Sequence, residues 1–181
     1  LGENRGRDEE PRPKVIPIND LERVVQLPAS RAVTSEKKED FAKTYGGLSE
    51  TFTAMRNIDR EFSPEEFLDG AKTAYEMVIT AFTKRDHDTL KMLLSEAMYK
   101  SFALSLEDAE KEKRFNDTTL VAITKATIKN AKLKGNDAAI AVDFTSEQIH
   151  LIRDGEGKIL EGDASEQNMV EDEWVFMRDM K

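Results

Sequence analysis

Few residues in this chain have the types and spacing that chemistry needs. The sharpest pairing is Asp143 with Tyr75, a carboxylate and a phenol that could act as base and hydrogen-bond donor in a concave site. That role requires an inward-pointing, partly desolvated acid. Asp143 stands between Val142 and Phe144 in AAIAVDFTSEQIHLI, so strand alternation sends it to the wet face, and no catalytic residue is assigned. The two histidines, His87 and His150, fall in different elements and form neither an H-x-x-x-H nor an H-E-x-x-H pattern. A zinc site would have to complete its ligand set with carboxylates alone. The acidic stretch DGEGKILEGD, starting at Asp154, lacks the ligand spacing of an EF-hand. The sequence therefore predicts a non-enzymatic protein with no metal and no cofactor.

Composition narrows the function further. The 181 residues carry a formal net charge of −9, which argues against nucleic acid, whose phosphates require a concentrated positive field. With no cysteine there is neither a disulfide framework nor thiol chemistry. No run of eighteen apolar residues is present to span a bilayer. The chain begins at Leu1 rather than Met, and the expectation is that any membrane anchor lies outside it.

Residues 1–45 are expected to be a flexible extension. LGENRGRDEEPRPK offers nothing to bury. An apolar patch at 15–28, VIPINDLERVVQLP, is the exception. Asn19 or Asp20 could cap a short helix there containing Leu21, Val24 and Val25. The compact domain is placed at 46–181. Leu48, Phe52, Met55 and Ile58 trace one helical face over about 46–58. Ser63-Pro64-x-Glu66 is a strong helix start, with Phe62 and Phe67 placed as a hydrophobic staple. Phe67, Ala71, Ala74, Tyr75, Val78 and Phe82 follow as a buried stripe. Asp86 or Asp88 begins the next helix, whose apolar face is Leu90, Leu93, Leu94, Ala97 and Met98. Ser95 interrupts it, and Phe102 and Leu106 continue toward Arg114.

After Asp117 the period changes to that of strands. TTLVAITKATIKNAKLK is β-branched and roughly alternating, with a phase shift near Lys125 that predicts a bulge. Gly135-Asn136 makes a turn into a partner strand whose inner face is Ala138, Ile140, Val142 and Phe144. A last strand, VEDEWVFMRD, puts Val170, Trp174 and Phe176 on one face and Val175 and Met177 on the other. Helices followed by an antiparallel meander predict an α+β domain, its helices covering one face of a curved sheet. Three strands leave an unpaired edge after Trp174, Val175 and Phe176, open to self-association.

The order of motifs resembles the Tim44-like family, and within it the bacterial branch. The similarity rests on F-x-x-G-A-K-x-A-Y at Phe67 to Tyr75, A-F-x-x-x-D at Ala81 to Asp86, L-K-x-L-L at Leu90 to Leu94, and W-x-F-x-R at Trp174 to Arg178. The resemblance covers about residues 46–181. It implies a nuclear transport factor 2-like cone of helices on a curved antiparallel sheet. It also implies a membrane-associated adaptor that binds an inner-membrane or translocation-related protein at the bacterial inner membrane. Family members continue past W-x-F-x-R with a further tryptophan-containing strand, so the resemblance implies either a domain cut before its last strand or a sheet completed differently.

In such a cone the candidates for lining an apolar pocket are Phe67, Tyr75, Val78, Phe82, Trp174 and Phe176. Lys72, Lys84, Arg85 and Lys91 are the candidates for meeting anionic lipid headgroups. The alternative to an adaptor is a carrier or sensor holding a small apolar ligand or lipid in the pocket.

Overall fold

The structure is a computed structural model that describes residues 25–26 and 41–181. The expectations for residues 1–24 and 27–40 lie outside the described residues. Five helices come first after a two-residue strand, β1 (Val25–Gln26): α1 (Phe41–Tyr45), α2 (Ser49–Ile58), α3 (Pro64–Lys84), α4 (His87–Leu93) and α5 (Glu96–Glu112). The strands β2 (Phe115–Lys134), β3 (Asp137–Arg153), β4 (Ile159–Glu161) and β5 (Asn168–Asp179) follow. This is the expected α+β architecture, with helices packed on one face of an antiparallel sheet.

Helices α3, α4 and α5 start where a side chain takes up a free backbone N–H, whereas Leu48 before α2 makes no such bond. Ser63 Oγ accepts from Glu66 N at 3.4 Å, Asp86 Oδ1 from Thr89 N at 3.1 Å, and Ser95 Oγ from Met98 N at 3.2 Å. Pro64 takes the first position of α3, where no donor is needed. Ser95 resets the helical phase. Met98 and Leu106 consequently turn inward, and Ala97, expected on the apolar face, is exposed in the first turn. The helical region also begins earlier than the spacing around Leu48 indicates. Phe41 is buried, meets Phe52 edge-on at 5.9 Å and carries the Arg56 guanidinium over its ring at 4.1 Å.

β3 is the centre of the sheet. It pairs antiparallel with β2 along its whole length and with β5 from Asp137↔Asp179 to Gln148↔Asn168. The β2–β3 loop is Gly135-Asn136, with Gly135 at φ 61°, a value that favours glycine at the first position of a two-residue hairpin. The phase shift expected near Lys125 is one of three register shifts in β2, at Leu120/Ala122, Ile123/Lys125 and Ile128/Asn130. Each inserts a residue and resets the alternation. Leu120, Ile123, Ala126, Ile128, Ala131 and Leu133 all join the core despite unequal spacing.

β1 corrects two expectations. Val25, expected in a short helix, is strand; with Gln26 it pairs parallel to β5 at Phe176 and Met177. A β-branched residue beside an open strand gains more from ladder pairing than from one turn of isolated helix. The outer edge of β5 is therefore partly covered, where three strands alone would leave it open.

Candidate functional site

The inner face of β3 continues past its apolar residues into polar ones. Ala138, Ile140, Val142 and Phe144 are buried as expected, and Ser146 and Gln148 follow on the same face, also buried. Opposite them on β5, Asp172 shares its parity with Val170, Trp174 and Phe176. Tyr75, fully buried in the middle of α3, reaches down into this group. Its hydroxyl donates to Asp172 Oδ2 at 2.7 Å and receives from Gln148 Nε2 at 3.0 Å. Ser146 Oγ lies 3.1 Å from the same hydroxyl and 2.9 Å from Gln148 Nε2. Burial, and then the charge of Asp172, hold the Tyr75 phenol well above its usual range. The phenol is therefore a fixed donor at neutral pH.

Aromatic rings close the site. Tyr75 stacks on Phe144 at 4.4 Å and tilts against Trp174 at 4.7 Å. Phe67 meets Phe176 edge-on at 5.8 Å. Val78 is buried on α3, while Phe82 is partly buried and packs on Phe102 at 5.3 Å. Five of the six pocket candidates thus surround one core, and Phe82 lies farther along α3 on α5. Among the described residues between α3 and the sheet, Tyr75, Val78, Phe144 and Phe176 are each at most 1% exposed, while Trp174 and Phe82 are partly buried.

The other candidates are placed as follows. Asp143 lies on the opposite face from Tyr75, beside the Lys129–Glu173 ion pair, whose Nζ–Oε2 distance is 2.9 Å. The acid that partners Tyr75 is Asp172. His87 Nδ1 is 3.0 Å from the Tyr99 hydroxyl, and His150 Nδ1 is 3.1 Å from Thr118 Oγ1. In the acidic loop Asp154 Oδ1 accepts from Glu156 N and Lys158 N, both at 2.9 Å. Asp163 Oδ1 accepts from Ser165 N and Oγ. These carboxylates fold their own turns. Among the described residues no group of three or more His, Asp or Glu could hold a metal ion.

The four cationic candidates do not form one patch. Lys72 faces Asp69 at 3.6 Å and stands about 18 Å along α3 from Lys84. Lys84, Arg85 and Lys91 flank the α3–α4 turn. There the Arg85 guanidinium covers the Phe115 ring at 4.3 Å, and Lys91 Nζ covers Tyr99 at 5.3 Å.

The sequence motifs now have physical roles. In W-x-F-x-R, Trp174 and Phe176 pack inward and Arg178 holds Asp59 at 2.9 Å, fastening β5 to the α2–α3 turn. In F-x-x-G-A-K-x-A-Y, Phe67 packs on Phe176, Ala71 and Ala74 let α3 approach the sheet, and Tyr75 enters the polar cluster. A family model described as the Tim44-like domain matches residues 48–181. The chain belongs to the Tim44-like domain family. The chain is 23% identical over 136 residues to the probable mitochondrial import inner membrane translocase subunit tin-44 of Caenorhabditis elegans. That match covers 74% of this chain and 32% of the relative. It is 24% identical over 143 residues to the translocase subunit TIM44-1 of Arabidopsis thaliana, with 79% and 30% coverage. Against subunit TIM44 of Rattus norvegicus it is 24% identical over 163 residues, with 87% and 35% coverage. The chain spans about a third of the length of these relatives. No helix of the Tim44-like domain, among the described residues, is long and apolar enough to cross a membrane.

Proposed function

We propose that this domain is a non-enzymatic adaptor that sits against an inner-membrane surface, here a bacterial one, and binds a protein of a translocation or envelope-assembly apparatus. The observation that carries this reading is the filled inner face. Tyr75, Phe144 and Phe176 are each at most 1% exposed, and their rings occupy the volume that a carrier would keep for its ligand. Recognition then falls to the outer surface. Membership of a family whose relatives bear the name of inner membrane translocase subunits supports the same direction. The proposal assigns lipid contact to Lys84, Arg85 and Lys91 around the α3–α4 turn, with Lys72 in a lesser role, because long basic side chains can reach anionic headgroups from a packed surface.

Flotation with vesicles containing anionic lipid, alongside native mass spectrometry of the purified chain, tests it. The expected result is salt-sensitive flotation that falls in a Lys84→Glu/Arg85→Glu variant, with no co-purifying small molecule. Stoichiometric retention of a small apolar ligand by the folded chain would reject the adaptor reading.

A further inference from the structure

The outer face of the sheet, turned away from Tyr75, divides its charge by strand. β2 supplies the cations. Lys125 stands opposite Thr145, Lys132 opposite Ala139 and Lys134 opposite Asp137, all on the face that Asp143 occupies. The three lysines are exposed, and between Thr118 and Asn136 the chain has no carboxylate. β3 and β5 supply the acids, with Asp143 and Glu147 on one and Glu171 and Glu173 on the other. Lys129 marks the border: its Nζ meets Glu173 Oε2 at 2.9 Å, and the charge of Asp143 acts on it as well. Lys125, Lys132 and Lys134, by contrast, form no ion pair among the described residues. The residues that face Lys125 and Lys132 across the ladder are neutral, so no cross-strand pair accounts for either cation.

This basic row is one strand wide. The neighbouring strand, about 5 Å away, carries carboxylates on the same face. A flat anionic bilayer laid on this face would press its headgroups against Asp143, Glu147 and Glu171. A single extended polypeptide covers the row alone. The spacing fits the same occupant. Lys132 and Lys134 lie two residues apart on a stretch without a register shift, so about 7 Å separates them, the repeat of alternate side chains on any extended chain. Main-chain pairing plays no part. Three register shifts interrupt the β2–β3 ladder, and bulges turn an edge away from a further strand. Recognition falls to side-chain charge, which sets selectivity and association rate more than raw affinity.

We propose that the row formed by Lys125, Lys132 and Lys134 docks an extended acidic segment of a partner protein, with two of its carboxylates at alternate positions opposite Lys132 and Lys134. This rests on the protein-binding reading above and names the chemistry of the partner.

The probes are two capped, dye-labelled peptides of about ten residues, long enough to span the row. One alternates Glu and Thr, the other Gln and Thr, and fluorescence anisotropy follows their binding to the full chain. The expected result is saturable binding of the Glu peptide, on the order of tenfold tighter than the Gln peptide at low ionic strength and weakened by salt. K125E/K132E, checked for an unchanged melting temperature, should erase that preference; K125Q/K132Q should weaken it, and K125R/K132R should keep it. Equal binding of both peptides, binding of neither, or a preference that survives K125E/K132E would overturn the proposal. So would loss of flotation with protein-free anionic vesicles in K125E/K132E without any peptide preference, which would make a lipid surface the occupant. Trypsin-sensitive binding to native inner-membrane vesicles separates this site from the reading beneath it. Its persistence in K125E/K132E would overturn the site and leave the adaptor role standing. Its absence from the unaltered chain, with peptide selectivity intact, would count against the adaptor role and support the row.

Discussion

The Tyr75 hydroxyl donates to Asp172 Oδ2 across 2.7 Å, joining the middle of α3 to β5. The bond is the outer link of a cluster whose inner members, Ser146 and Gln148, are buried. Removing the hydroxyl takes a partner from all three neighbours. Tyr75→Phe should cost about 1–3 kcal/mol, because buried polar groups left unpaired pay their desolvation. Urea unfolding measures this, and a cycle with Asp172→Asn should show coupling between the two positions.

The same cluster sets a pH signature. The phenol of Tyr75 is raised by burial and by Asp172, whereas an unfolded tyrosine ionises near about pH 10. The stability this group contributes is complete below that pH and is lost as the pH rises past it. Tyr75→Phe should flatten the loss of stability above about pH 10. His150 is shifted the other way. Partial desolvation lowers its pKa, against the opposing charge of Asp172, although the residue is exposed at its rim. Its contribution is present above the unfolded value of about 6.5 and declines as the pH falls below it. His150→Gln should remove that acid-side slope in thermal melts taken across the range.

The start of α3 is predicted to act through stability alone. Ser63→Ala should cost about 1 kcal/mol through the lost cap. Phe67→Ala should cost about 3–5 kcal/mol, since the ring is buried against Phe176. A Phe67→Ala variant with unchanged thermal stability would place that ring on a binding surface instead.

Two backbone positions respond in opposite senses. Lys113 ends α5 with φ at 54°, a left-handed conformation that costs a side chain about 1–2 kcal/mol. Lys113→Gly should therefore raise the melting temperature. Gly162 has φ 92°, and an added Cβ would come within 2.4 Å of the His150 carbonyl oxygen. Gly162→Ala should lower the melting temperature and disturb the β3–β4 pairing, as seen by amide exchange at Ile152 and Arg153.

Much of this architecture was legible from local patterns. Ser63-Pro64, Asp86 and Ser95 marked helix starts through side-chain oxygens, and alternation at 138–144 found the inner face of β3. The polar cluster was legible in principle by the same parity, because Ser146 and Gln148 continue that face and Asp172 shares the face of Trp174. Polar residues on an inward register were the overlooked signal, and Asp143 drew attention by its chemistry from the wrong side of the sheet. Pairing between β1 and β5 was not legible, since nothing local links Val25 to a strand some 150 residues later. The bulges of β2 blurred its period: one shift showed near Lys125, while three were needed to keep Leu120 through Leu133 facing inward.

The most direct test of the adaptor account is binding of the purified chain to native inner-membrane vesicles, before and after their surface proteins are shaved with trypsin. Saturable binding that is largely lost on shaving, with weaker salt-sensitive binding to protein-free vesicles of the same lipids, is the predicted result. Equal binding to shaved and unshaved vesicles, or no binding to either, would contradict a protein-binding role at the membrane surface.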